Sequence, residues 1–242
     1  MTIPISVVDA FTSEPFKGNP AAVCLLERQA DDSWMQRVAA EMNLSETAFL
    51  LKERDGEYSL RWFTPKTEVD LCGHATLASA HFLWENGLLP ENSAASFHSR
   101  SGLLTAQRSE AGITLDFPAE PVVPVTAPEP LIQGLGLIPR YVGRNRMDFL
   151  VEVDSDSTIR SLRPDYAQLS LLQARGVIVT SRGDAAGAGG DRFDFVSRAF
   201  FPAVGVDEDP VTGSAHCALA PYWQRRLRKQ TMHAYQASER GG

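Results

Sequence analysis

No run of apolar residues in the 242-residue chain approaches the roughly 20 that a membrane-spanning helix needs. The first residues, MTIPISVVDAF, lack a basic stretch followed by an apolar core and a small-residue cleavage site, so they do not read as a secretory signal. Cysteine is scarce: Cys24, Cys72 and Cys217 are an odd number at no framework spacing, as expected of reduced thiols in a cytoplasmic protein. Excess positive charge is also missing, and a net charge of −7 argues against general affinity for nucleic acid or anionic membrane. There is no P-loop, and no G-x-G-x-x-G follows a strand, so no nucleotide cofactor is expected. What remains is 43% hydrophobic and 22% charged, the composition of a globular protein with a sizeable core. The length suits one large domain or two modest ones.

What is present is a stretch that occurs twice. Residues 61–84 read RWFTPKTEVDLCGHATLASAHFLW, and residues 198–223 read RAFFPAVGVDEDPVTGSAHCALAPYW. Each begins Arg-x-Phe-x-Pro (Arg61, Phe63, Pro65; Arg198, Phe200, Pro202) and passes through an acidic segment. Each then reaches a glycine, a short polar residue and an alanine-rich run, Gly73-His74-Ala75 and Gly213-Ser214-Ala215. A repeat at this separation suggests two copies of one supersecondary unit.

Around it the chain reads as mixed α and β. Strands are expected at 3–11, 21–26, 47–52 and 58–63, the last two joined by Asp55-Gly56. Asp31-Asp32-Ser33 caps a helix to about Glu41, and a second helix runs from Gly73 to Glu85, stopped by Asn86-Gly87. A meander of three strands follows at 95–98, 102–108 and 112–117. Residues 118–130, PAEPVVPVTAPEP, form a proline-rich linker between domains 1–117 and 131–242. Beyond it, helices are expected near 130–135 and 165–173, with strands at 140–145, 148–153, 176–180 and 193–200. A Gly/Ala loop occupies 184–191, and Pro221 is expected to end or kink the helix that starts near Gly213.

A glycine at a loop-to-helix junction lets backbone approach a ligand, and the N–H groups of the first turn attract an anion. Two such starts facing each other would hold a small carboxylate between Asp70, Cys72 and His74 on one side and Asp209, Thr212 and Ser214 on the other. Taken singly, these residues have plainer readings. Glu46 reads as a surface or capping glutamate, His74 as a helix N-terminal residue, and Asn19 and Asp209-Pro210 as turn residues. Residues 225–229, RRLRK, read as a solvated surface cluster.

Together VDAFTSEPFKGNPAAVC, NLSETAFL, RWFTP, DLCGHATLASAHFL, DFP, DEDPVTGSAHCAL and QASERGG resemble the phenazine-biosynthesis PhzF-like isomerases along the whole chain. That family is related in fold to diaminopimelate epimerase and proline racemase. The resemblance implies an α+β protein of two pseudo-symmetric domains of the diaminopimelate epimerase-like fold. Each would be a curled, mostly antiparallel sheet around a central helix, with the site between them. It also implies a cofactor-free, metal-free isomerase, usually a homodimer, acting on a small carboxylate-bearing substrate. Matched residue by residue, Glu46 of Ser45-Glu46-Thr47 carries the proton. In the phenazine enzyme it moves a proton of trans-2,3-dihydro-3-hydroxyanthranilate from C3 to C1, turning an enol into a ketone. His74, Asp209 and Ser214 match the other catalytic polar groups, and Asn19, Gly73, Thr212 and Gly213 line the substrate. A carboxylate that both takes and returns a proton works best with a pKa raised toward neutrality, which burial would supply.

The nearest rival is an amino-acid or hydroxy-acid epimerase using Glu46 with another group; the two-thiol mechanism is disfavoured. Epimerases of this fold use two facing cysteines; here Cys72 keeps the first position and Thr212 stands at the second, and a threonine hydroxyl is no thiolate. A zinc site from Cys72, His74, His216 and Cys217 is disfavoured, because no structural C-x₂₋₄-C pair exists. Ser214 as an acyl nucleophile is disfavoured by the lack of G-x-S-x-G. Family members continue for two strands beyond S-x-R-G-G, whereas this chain stops at Gly241-Gly242. An unpaired sheet edge in each domain is therefore expected, and a catalytically silent metabolite-binding protein of the same fold stands as a further alternative.

Overall fold

The structure, a computed structural model, describes residues 3–110, 112–183 and 193–242. The expected Gly/Ala loop at 184–191 lies outside the described residues. Contacts divide the chain into Met1–Phe117 and Pro118–Gly242.

In the first unit β1 (Ile5–Ala10), β2 (Asn19–Leu26), α1 (Asp32–Met42), β3 (Glu46–Arg54), β4 (Glu57–Phe63) and β5 (Glu68–Val69) lead to α2 (Gly73–Glu85). Then come β6 (Ala95–Ser99), β7 (Gly102–Ser109) and β8 (Gly112–Asp116). The sheet order is β1-β2-β3-β4-β6-β7-β8, with β5 beside the end of β4. Pairs β2–β3 and β4–β6 are parallel, and the other pairs are antiparallel. Helix α2 packs on β1, β2 and β3 and also on β8, from the opposite end of the strand order. The sheet therefore curls around it. Ala75, Ala78, Ala80, Leu83 and Trp84 are all buried, so the helix is apolar on more than one face, as a core helix must be. Small alanines let the strands come close. Outside the curl, α1 lays Met35 and Ala39 against Cys24, Leu26, Phe49 and Phe63. Asp31 caps α1 by accepting from the N–H groups of Ser33 and Trp34.

The second unit contains β9 (Val123–Pro124), α3 (Glu129–Leu135), β10 (Tyr141–Arg144), β11 (Asp148–Glu152), α4 (Asp156–Ser161) and α5 (Tyr166–Leu169). It continues with β12 (Gly176–Arg182), β13 (Phe195–Phe201), β14 (Val206–Asp209), α6 (His216–Leu227) and β15 (Ala234–Gln236). Side-chain alternation covers both faces of its sheet. Phe149, Val151, Val177, Val179, Val196 and Phe200 pack with α3, α4 and α5. Leu150, Ile178 and Phe195 point the other way, onto Ala218, Leu219, Tyr222 and Trp223 of α6.

Six strands of the first unit, β1 to β6, recur in the second as β10 to β15. Antiparallel β1–β2 and parallel β2–β3 correspond to antiparallel β10–β11 and parallel β11–β12. Strand β4 is shared between antiparallel β5 and parallel β6, as β13 is between antiparallel β14 and parallel β15.

Three sequence expectations are corrected. Residues 165–173 were expected to be helical, but only Tyr166–Leu169 are, and the helix Asp156–Ser161, capped by Ser155, had not been anticipated. The second repeat opens with a 3₁₀ turn, Gly213–Ala215, before α6 begins. Pro221 neither ends α6 nor leaves its missing bond open: the Cys217 carbonyl, its would-be partner, accepts from the Glu120 N–H at 2.8 Å.

Candidate active site

In the first unit two backbone devices bring the predicted residues together. Gly18 adopts φ +63°, and a Cβ there would overlap the Ala10 carbonyl oxygen. The turn it permits sets Asn19, fully buried, opposite Ala10 at the start of β2. Strand β3 runs parallel to β2 with Glu46 opposite Ala21, so Asn19 and Glu46 lie at the same end of the sheet. The N-terminus of α2 supplies the rest. Cys72, extended at φ −140° and ψ 123°, precedes the helix, and its carbonyl accepts from the Thr76 hydroxyl at 2.5 Å.

These elements converge on one imidazole. His74 Nε2 lies 3.5 Å from Glu46 Oε2, and its Nδ1 lies 3.5 Å from Cys72 Sγ. His74 is 1% exposed and the Glu46 side chain 15%, so of the two only the glutamate side chain keeps any opening to solvent, while its Oε2 is buried. If the thiol donates to Nδ1, the ring proton sits on Nε2, the nitrogen that faces Glu46 Oε2. Glu46, Cys72 and His74 are also the one grouping of metal-binding residue types found among the described residues, with ligand atoms within 4.8 Å of one another. An ion would have to displace one of the two contacts the ring already makes. Asp70, expected on this wall, is instead exposed and paired with Arg100 at 3.7 Å.

In the second unit the predicted residues form a different network. Asp209, 4% exposed, ends β14 opposite Ala199 and accepts from the Thr212 hydroxyl at 2.6 Å. Gln236 of β15 closes the loop. Its Nε2 donates to the Asp209 carbonyl at 2.6 Å and to Thr212 Oγ1 at 3.1 Å, and its Oε1 accepts from the Thr212 N–H at 2.8 Å. Ser214, in the 3₁₀ turn beside Gly213, accepts from Arg175 Nη1 at 3.2 Å. Gln236 and Arg175 were not anticipated. Gln236 stands inside the quoted QASERGG segment, and Arg175 is a lone cation immediately before a buried strand.

His216 and Cys217 do not approach a metal geometry: His216 Nδ1 contacts the Thr212 carbonyl at 3.0 Å. Burial pushes the Cys217 thiol up to about 11, and the Cys24 thiol equally. A cavity of about 560 Å³ in the first unit, lined by Leu25, Leu26, Leu51, Phe82 and Leu88, includes none of the site residues. Among the described residues, no helix is long and apolar enough to cross a membrane.

Residues 8–242 match the phenazine biosynthesis-like protein family, PhzC-PhzF. An uncharacterized isomerase of Halalkalibacterium halodurans is 58% identical over the whole of this chain and 89% of its own length. The crystal structure of a PhzF family phenazine biosynthesis protein of Enterococcus faecalis superposes with a TM-score of 0.87 at 44% identity, covering 100% of this chain and 90% of that one. A probable proline racemase of Agrobacterium radiobacter, at 12% identity and a TM-score of 0.60 over 95% of this chain and 78% of its own, shares the fold alone.

Proposed function

The chain is a member of the phenazine biosynthesis-like family, and on that premise we propose that it is an isomerase working by general acid–base proton transfer on a small carboxylated substrate. Glu46 is the shuttle. The observation that carries this reading is the buried Glu46–His74 contact of 3.5 Å at the start of α2. It joins a group able to accept a proton to a second that holds it in place.

The step balances without a redox partner. The Glu46 carboxylate takes a proton from a substrate carbon, breaking C–H and forming O–H, and the electron pair enters the adjoining π-system. The protonated Glu46 then returns the proton to a second carbon, and the carboxylate is restored. With the hydroxyl on the carbon that lost its proton, the product is an enol, which becomes the ketone by giving up its O–H proton to solvent and taking one at the adjoining carbon, with no net change in oxidation state. His74, donating from Nε2, orients the carboxylate and steadies its charge between the two transfers. A cyclic dihydro-hydroxyanthranilate has the acidic C–H, the adjoining double bonds and the carboxylate that this scheme needs.

The alternative, epimerisation through paired thiols, finds one thiol at Cys72. At the matching position the Thr212 hydroxyl is already given to Asp209.

The test is incubation in D₂O with trans-2,3-dihydro-3-hydroxyanthranilate and a panel of amino and hydroxy acids, followed by NMR. Deuterium uptake with double-bond migration that disappears in Glu46→Gln is the expected result. Uptake that survives Glu46→Gln removes Glu46 as the base. Inversion without migration points to an epimerase, and binding without exchange to a silent member of the family.

A further inference from the structure

The duplicated plan allows the two units to be compared residue by residue at the place where Glu46 stands. Thr47 lies opposite Phe63 across β3–β4, and Val177 lies opposite Phe200 across β12–β13. Across the parallel pairs Glu46 lies opposite Ala21, and Gly176 opposite Asp148. Gly176 therefore holds the position of Glu46, and Arg175 that of Ser45. No side chain fits at Gly176, because a Cβ would overlap the Phe201 ring. The carboxylate has been replaced by an aromatic face. Over that face, 5.0 Å from its centroid, lies the Arg175 guanidinium.

Arg175 is held at three of its nitrogens. Asp148, 1% exposed, accepts from Nε at 2.9 Å and from Nη2 at 2.5 Å. Nη1 donates to Ser214 Oγ at 3.2 Å, and Ser214 stands where His74 stands in the first unit. Where one unit sets a carboxylate against an imidazole, the other sets a guanidinium against a hydroxyl.

We infer that Arg175, clamped by Asp148, is a positioning residue that turns Ser214 into a one-way donor for an anionic oxygen, and so selects carboxylate over carboxamide in the ligand. A serine hydroxyl can accept or donate. The guanidinium occupies the accepting side of Oγ, so the hydroxyl proton is left for a ligand, and the adjacent cation strengthens it as a donor. Asp148 fixes the fork so that the geometry does not depend on ligand binding. The inference deepens the proposed function and rests on its carboxylated substrate, but not on Glu46 as the base.

The test compares the binding of anthranilate and anthranilamide by calorimetry. Variants are Ser214→Ala, the double variant Arg175→Met with Asp148→Leu (which leaves no buried carboxylate uncompensated), and the triple combination. The native chain is expected to prefer the acid by about 10-fold or more, and each variant to lose most of that preference. The triple variant is expected to lose no more than Ser214→Ala alone, since residues acting through one hydroxyl are not additive. Should the double variant fail to fold, Arg175→Lys decides. A lysine cannot bridge Asp148 at two nitrogens while donating to Ser214, so a reduced preference supports the inference and an unchanged one overturns it. A native chain without preference, a double variant that keeps it, or additive losses would each overturn it as well. Glu46→Gln separates the two readings: it is expected to abolish deuterium exchange and leave the acid preference intact.

Discussion

The two units keep the same clasp and differ in what the clasp presents. In the first, Arg61 donates to both oxygens of Glu68 at 2.7 Å and lies 5.2 Å from the Phe63 ring centroid. In the second, Arg198 donates to both oxygens of Glu208 at 2.7 Å and lies 5.1 Å from the Phe200 centroid. A fork-to-fork ion pair over an aromatic ring pins the hairpin that leads to each helix start. The residues delivered there have diverged, to Cys72, His74 and Glu46 in one unit and Thr212, Ser214, Gly176 and Arg175 in the other. Scaffold geometry can be duplicated and kept while the chemistry at its end becomes asymmetric. The single-carboxylate shuttle proposed above uses that asymmetry, because one group moves the proton and the others bind.

The largest test of this comparison removes the group that only the first unit has. Glu46→Gln is expected to lower turnover by about 10³-fold, some 4 kcal/mol of barrier, while Ser214→Ala lowers it by roughly 10-fold. Single-turnover proton transfer to the probe substrate measures both. Equal losses would mean that the units share the chemistry after all.

Next in size is the clasp itself. The Arg198 side chain is 9% exposed against 23% for Arg61, and Arg198 Nη1 also donates to the carbonyls of Ile159 and Leu162. Arg198→Met should therefore cost about 3–5 kcal/mol, chiefly by stranding Glu208, since the Ile159 and Leu162 carbonyls keep the Leu162 N–H and Arg163 as donors. Arg61→Met should cost about 1–2 kcal/mol, since Glu68 retains Arg100. Urea unfolding followed by fluorescence reads the units apart in variants that keep either Trp34, Trp62 and Trp84 or Trp223.

A smaller change makes the two helix starts alike. Thr212→Cys restores a thiol opposite in sequence to Cys72 but gives Asp209 a weaker donor in place of the 2.6 Å hydroxyl bond. A stability loss of about 1 kcal/mol is expected, with no stereocentre inversion, measured by unfolding and by chiral chromatography of amino-acid probes. Inversion would restore the two-thiol reading.

Local signals made most of the fold legible in the sequence. Asp31 marked the start of α1, and Asn86-Gly87 marked the end of α2, where Gly87 adopts φ +65°. Period-two alternation placed β4, and the repeat itself anticipated the shared plan of β4 with β5 and β6 against β13 with β14 and β15. Glu46 was nameable only through family resemblance, because a lone glutamate before a strand carries no chemistry of its own. Arg175 stayed hidden for a geometric reason. Its partners Asp148 and Ser214 are 27 and 39 residues away; the register of β11 with β12 brings the first to it and the 3₁₀ turn at Gly213–Ala215 the second. Pro221 does not end α6, because another stretch of chain supplies the donor that the proline lacks. Here that donor is the Glu120 N–H.

The smallest test concerns what the units have in common. Cys24 in the first and Cys217 in the second are both buried, and loss of hydration holds each thiol at about 11. In the unfolded chain a thiol ionises near 9.0. Between the two values the unfolded state has given up protons that the folded state keeps. Stability contributed by these thiols is complete below the unfolded value and is lost as pH rises through the folded one. From pH 7 to 8.5 the two together should lower stability by only about 0.3 kcal/mol, with the slope steepening above pH 9. Urea midpoints across that range, compared with a Cys24→Ala and Cys217→Ala double variant, check the sign. A native chain that gains stability over the interval would show that one of these thiols is ionised inside the fold.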